Sequence, residues 1–189
     1  MKITVFGGSS PFPESEAYQF AYELGHYLAQ SGHTVLTGGY MGTMEATSKG
    51  AAEAGGHVIG VTCQEIENWR NTKHNPWVLE EWKTESLQDR MIKLIDSCDL
   101  AIALPGGAGT LAEIGMMWNR IQIQSIPPVP IILIGKEWNA MFSIFFNDLH
   151  DYIPSSSHYV IKFANTLEEI EPILNETQVT YSNKERSRQ

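Results

Sequence analysis

The sequence predicts an α/β fold, a Rossmann-like three-layer sandwich around a mostly parallel sheet. Two observations carry this prediction. Short β-rich apolar runs alternate with helical periodicity along the whole chain, and every glycine-rich turn follows a strand candidate. With right-handed crossovers, such turns gather at the C-terminal ends of the strands, where doubly wound sheets bind ligands.

The elements follow in order. Residues 3–6 form the first strand. Ala17, Phe20, Ala21, Leu24 and Leu28 then recur at helical spacing, and Gly32 stops that helix before a second strand at 34–37. Residues 44–54 read as a small-residue helix of the kind that packs closely on a sheet, closed by Gly55 and Gly56, and 58–61 as the third strand. Residues 86–97 form a further helix with Leu87, Met91, Leu94 and Ile95 facing the core. A strand at 100–104 runs into a glycine-rich loop and the next helix, and strands at 131–134 and 159–163 complete the set. Two segments do not read as crossovers: 62–83, with Trp69, Trp77, Trp82, His74 and Pro76, and 121–130, with Pro127, Pro128 and Pro130. The first reads either as a substrate lid whose aromatics stack on a planar base, or as a loop whose tryptophans pack it down or face a partner subunit.

Length and charge bound the function. A chain of 189 residues with 42% hydrophobic composition supports one core, assigned to residues 1–174 as a single nucleotide-binding domain, with 175–189 a frayed tail that has lost periodicity. A net charge of -9 argues against a nucleic-acid surface, which needs a basic stripe. The chain opens directly on a strand and has no apolar run of membrane-spanning length, so a cytoplasmic protein with no membrane partner is expected. Cys63 and Cys98 lack metal-ligand spacing and read as buried thiols, the histidines do not cluster, and neither metal nor cofactor is assigned.

The chemistry concentrates in Pro105-Gly106-Gly107-Ala108-Gly109-Thr110-Leu111-Ala112-Glu113. Glycines here let backbone N–H groups turn inward, and the helix that follows presents unpaired donors and its positive dipole end, so the ligand predicted is a phosphate. The spacing matches neither Gly-Lys-Ser/Thr nor Gly-x-Gly-x-x-Gly, which leaves a nucleoside monophosphate as the better fit. Two further turns, Gly7-Gly8-Ser9-Ser10 and Gly38-Gly39-Tyr40-Met41-Gly42-Thr43, fall on the same side of the sheet. Thr110-x-x-Glu113 also has the form of a capping box, and Glu45 in a first helical turn is explained by the dipole as well as by ligand contact.

These segments, together with Arg90 fifteen positions before the signature proline, resemble the Lonely Guy (LOG) family. The resemblance spans about residues 1–135 and implies a Rossmann-like homodimer that splits the N-glycosidic bond of a cytokinin riboside monophosphate or AMP-type nucleotide into free base and ribose 5-phosphate. By position it implies Arg90 and Glu113 as the catalytic pair, with Gly106, Gly107, Gly109 and Thr110 as the phosphate cradle. Gly8, Ser9, Gly38, Gly39 and Gly42 complete the nucleotide-binding set expected from the converging loops. The chain differs from the family pattern at Met91, where lysine is usual, at Ala112, where glutamate is usual, and at Tyr40. The other reading is a non-catalytic nucleotide or molybdenum-cofactor carrier, similar in the same glycine loops. An older family label, lysine decarboxylase, finds no lysine marked for a pyridoxal phosphate Schiff base. The dense apolar run Ile114, Met116, Met117, Trp118 and Ile121 exceeds one core-facing stripe and, with the resemblance, predicts a homodimer.

Overall fold

A computed structural model describes residues 1–186. Its strands are β1 (Lys2–Phe6), β2 (Thr34–Thr37), β3 (Val58–Cys63), β4 (Glu80–Thr84), β5 (Leu100–Ala103), β6 (Ile131–Ile134) and β7 (Ile161–Ala164). They form one sheet in the order β4-β3-β2-β1-β5-β6-β7, and every neighbouring pair is parallel. The helices are α1 (Glu16–Gln30), α2 (Thr43–Glu53), α3 (Gln64–Arg70), α4 (Leu87–Asp96), α5 (Ala108–Gln122), α6 (Lys136–Asp148) and α7 (Leu167–Arg186).

Helices cover both faces of the sheet, so the central strands bury both faces and alternate between two cores. Ile3, Val5, Leu100, Ile102, Ile132 and Ile134 pack with Leu24, Leu28 and Ile170 on the side of α1, α2 and α7. Phe6, Ala101, Ala103, Ile131 and Leu133 pack with Leu94, Met117, Trp118 and Phe142 on the side of α4, α5 and α6. Gly25 and Gly50 bring α1 and α2 together: a Cβ on either would strike backbone of the other helix.

The strand order reverses direction at β1. Crossovers run outward from β1 through β2 and β3 to β4, then resume on the other flank at β5. The loops after β1 and β5 are therefore neighbours at a topological switch point, the position at which doubly wound sheets open a ligand crevice.

Several expectations change. The segment 62–83 is not a single loop, because it completes β3, forms α3 and enters β4 as an outer strand. Glu80-Glu81-Trp82-Lys83-Thr84 shows no apolar alternation because an edge strand exposes one long side, and charge there disfavours pairing with other chains. The last strand begins two residues later than read, after a short 3₁₀ segment. On α4, Arg90, Leu94 and Ile95 are buried while Leu87 is exposed, so the inward face is shifted by an arginine that periodicity counts as polar. Cys63 is buried but Cys98 only partly so, although burial still pushes its thiol up to about 12.

The apolar density of α5 is absorbed within the protomer. Ile114, Met117, Trp118 and Ile121 are all buried, because α6 and the segment before β7 add a second apolar wall to the sheet. Downstream of Asn175, where a frayed tail was expected, α7 continues to Arg186. No glycine or proline follows Pro172 to stop it, and the hydroxyls of Thr177 and Thr180 donate to the carbonyls of Ile173 and Glu176 four residues back, at 2.7 and 3.0 Å. Residues 187–189 of that expected tail lie outside the described residues. Among the described residues no helix is long and apolar enough to cross a membrane.

Candidate functional site

The three glycine turns meet. The Gly8 amide donates to the carbonyl of Pro105 at 3.3 Å, and the Gly8 carbonyl accepts from the Thr43 amide and hydroxyl at 3.0 and 3.1 Å. The turn after β1 is thus held between the start of α2 and the turn after β5. Gly42 has a positive φ of 73°, and a Cβ there would strike the backbone of Gly8 and Ser9, so this junction needs glycine for both conformation and space.

Gly106, Gly107, Ala108 and Gly109 lie exposed at the mouth, with open space where Cβ atoms of Gly107 and Gly109 would stand. Helix α5 begins at Ala108, its N-cap is Gly107, and no side chain caps it. Its first-turn donors therefore face solvent beside the adjoining turns, an arrangement suited to an anion. This overturns the capping-box reading: Thr110 and Glu113 are the third and sixth residues of the helix, and neither side chain caps its end.

Both side chains point inward instead. Thr110 is buried beneath Gly106, where any Cβ would meet its hydroxyl. Glu113 is 8% exposed and faces Arg90, itself 5% exposed, with Nη1 3.6 Å from Oε1. Arg90 is neither on a solvated face nor paired with Glu85 or Asp89.

The remaining edges of the guanidinium are held by the protein. Nε donates to the Val61 carbonyl at 2.8 Å and Nη2 to the Gly38 carbonyl at 3.1 Å, the Met44 sulfur lies 3.7 Å from Nη2, and the Tyr40 ring centroid is 5.5 Å from Cζ. Tyr40 is fixed in turn, since its hydroxyl accepts from the Cys63 amide at 2.8 Å and donates to the Cys63 carbonyl at 3.0 Å. Gly38 is glycine because a Cβ would occupy the place of the Arg90 guanidinium. Gly39, with a φ of 76°, passes close to Gly60 and Thr62 of β3, so Gly38 and Gly39 shape the wall behind the pair.

Burial pushes the Glu113 carboxyl up to about 7, with the Arg90 charge opposing that rise. Burial prevails because Arg90 divides its donors among carbonyls and meets Glu113 through one nitrogen at a distance too long for a strong charge-assisted bond. The site thus holds a carboxyl that can be neutral or charged near neutral pH, beside a guanidinium that is always charged.

Ser9 is half-exposed at the mouth and accepts from Arg70 Nη2 at 3.2 Å. Arg70 is the last residue of α3, and no motif or spacing in the sequence marks it. Trp69 is 76% exposed, Trp77 stacks with Lys49, and Trp82 packs on the α4 side of the sheet. Glu45 faces Tyr18, whose hydroxyl is pushed up to about 12 first by burial and then by this carboxylate.

A sequence model described as the SLOG cluster4 family matches residues 1–135. Among curated proteins, the chain is 30% identical to "Probable cytokinin riboside 5'-monophosphate phosphoribohydrolase LOGL6" of Oryza sativa subsp. japonica, over 89% of this chain and 68% of that one. It is 28% identical to "Cytokinin riboside 5'-monophosphate phosphoribohydrolase LOG4" of Arabidopsis thaliana, over 89% of this chain and 79% of that one. Among solved structures, the molybdenum cofactor binding protein of Rippkaea orientalis superposes with a TM-score of 0.72 at 25% identity, covering 93% of this chain and 95% of the other.

Proposed function

From the premise that the chain belongs to the LOG family, within SLOG cluster4, we propose that it is a phosphoribohydrolase that cleaves the N-glycosidic bond of a nucleoside 5′-monophosphate. The observation that carries this reading is the buried Arg90 and Glu113 pair beside an open, uncapped glycine turn.

The chemistry divides between the two parts. The 5′-phosphate would take the amides of Gly107, Ala108, Gly109 and Thr110 at the start of α5. As the bond from C1′ to the base nitrogen breaks, its electron pair leaves with the base and positive charge develops on the ribose, which the Glu113 carboxylate stabilises. Water adds at C1′ and loses a proton, giving ribose 5-phosphate, while the departing base gains one. Arg90, held by the carbonyls of Val61 and Gly38, keeps Glu113 in place and presents positive charge toward electron density building on the base.

A second reading, a nucleotide or molybdenum-cofactor carrier without turnover, is favoured by the likeness to the Rippkaea orientalis protein. The two separate in one assay. Incubation with a panel of nucleoside monophosphates should release free base, measured by chromatography; binding without release of base from any of them leaves the carrier. We also propose a homodimer, resting now on the family alone since α5 is accounted for within the protomer. Light scattering at micromolar concentration tests it, and a monomer would count against it.

A further inference from the structure

The structure places an arginine where the sequence marked none. We propose that Arg70 is a binding residue for the phosphate of the ligand, gripping it from the side opposite the start of α5. This deepens the nucleotide reading above and rests on its phosphate site.

Three observations carry it. First, Arg70 Nη2 reaches Ser9 Oγ at 3.2 Å, so the guanidinium lies on the turn after β1, which is itself bonded to the turn after β5 through Gly8 and Pro105. Second, of the three arginines whose side chains are described, Arg90 pairs with Glu113 and Arg120 with Asp96, whereas Arg70 has no carboxylate partner among the described residues. In a chain with 22 acidic and 13 basic residues, a guanidinium that meets only a neutral serine and the face of Trp69, whose ring centroid is 5.0 Å from Cζ, at the mouth of an anion site is a charge left for an anion. Third, the helix that carries it is held at its other end. The Glu65 amide donates to the Glu85 carbonyl at 3.3 Å, and the Glu65 carboxylate accepts from the Leu87 amide at 2.8 Å. Lys83 pairs with Glu67 at 2.6 Å, although α3 buries none of its own residues. Asn71 then ends the helix in a left-handed conformation, φ 47°, which turns the chain away just after Arg70.

Such an arrangement selects a phosphomonoester over a neutral nucleoside. The amides of α5 bind phosphate oxygens from one side with partial charge only. Arg70 adds a full charge and a planar fork from the other, in place of its single bond to Ser9. Arg90 cannot supply this contact, because its donors are committed to Val61, Gly38 and Glu113.

Titration calorimetry with ribose 5-phosphate and with ribose, against the wild-type chain, Arg70→Ala, Arg70→Lys and Lys73→Ala, tests this. Arg70→Ala should weaken ribose 5-phosphate roughly tenfold to a hundredfold, as expected when a charge-assisted pair is lost, and leave ribose unaffected. Arg70→Lys should recover part of the loss. Lys73→Ala, which removes an exposed charge three residues away, should change nothing. Equal affinity in wild type and Arg70→Ala overturns the assignment, as does equal weakening by Lys73→Ala, which would reduce the effect to net charge. A wild-type chain that binds no ribose 5-phosphate overturns it also. If ribose 5-phosphate binding depends on Arg70 while no nucleotide releases its base, the hydrolase reading fails and the assignment stands.

Discussion

Replacing Glu113 with glutamine makes the burial of this carboxyl measurable. Its pKa stands at about 7 against 4.5 for an ordinary glutamate, and burial is the dominant cause. At about 1.4 kcal/mol per pH unit, that gap corresponds to roughly 3 kcal/mol. Below pH 4.5 the group is protonated in folded and unfolded chains alike, so it contributes no pH dependence. Between 4.5 and about 7 the unfolded chain releases the proton that the folded chain retains, and stability falls as pH rises. Above that range both states are ionised and the full penalty is present. Glutamine fills nearly the same volume and never ionises, so the stability of Glu113→Gln minus that of wild type should climb by roughly 3 kcal/mol from pH 4 to pH 8, almost all of it below pH 7. Urea denaturation of both chains at one-unit pH intervals measures the difference. A flat difference would show that Glu113 is not desolvated as the structure has it. A decline with rising pH would mean that the Arg90 charge outweighs burial and depresses the pKa.

Other outcomes follow from the same geometry. If the carboxylate is the working form, turnover of a nucleoside monophosphate should rise with pH along a limb centred near 7; Glu113→Gln and Arg90→Ala should each reduce it by roughly 10²-fold or more, measured as free base released. Gly38→Ala places a methyl group where the Arg90 guanidinium lies, so turnover should collapse while ribose 5-phosphate binding at the open turn persists; equal loss of both would contradict this division of the crevice. Tyr40→Phe leaves the buried Cys63 amide without its partner and should cost roughly 1–3 kcal/mol by chemical denaturation, whereas an unchanged midpoint would mean the amide finds another acceptor.

Much of the fold was legible in the sequence because the central strands are buried on both faces. Runs such as Leu100 to Leu104 have no polar face to confuse with a helix, and the glycine turns after β1, β2 and β5 mark strand ends directly. Strand β4 was illegible for the opposite reason. As an outer strand it carries Glu80, Glu81 and Lys83 toward solvent and shows little apolar signal. The start of α5 was misread because Thr110 and Glu113 satisfy a local capping pattern, while the chain enters the helix at Ala108 with glycine as its cap. Arg70 carried no local signal at all. Its place depends on a contact with Ser9 across 61 residues, which spacing along the chain does not report.

The two parts of the crevice differ in construction, and that difference bears on what the protein does. The mouth is made of exposed backbone, with Gly107 and Gly109 open to solvent, and such a surface presents backbone donors to an anion without burying any charge of the protein's own. Behind it, Arg90 and Glu113 are buried charges, which a fold bears at a penalty that a pair 3.6 Å apart does not fully offset. The neighbouring residues are fitted to that pair. Gly38 makes room for the guanidinium, Tyr40 lies under it, and Val61 and Gly38 fix its angle, while Glu113 remains near the pH at which it changes charge. A protein that only held a phosphorylated ligand would need the mouth and not the pair. Under the hydrolase reading proposed above, the ionised form of Glu113 is the group that stabilises a positive charge developing on the ribose, and the fixed guanidinium beside it holds that carboxylate in place.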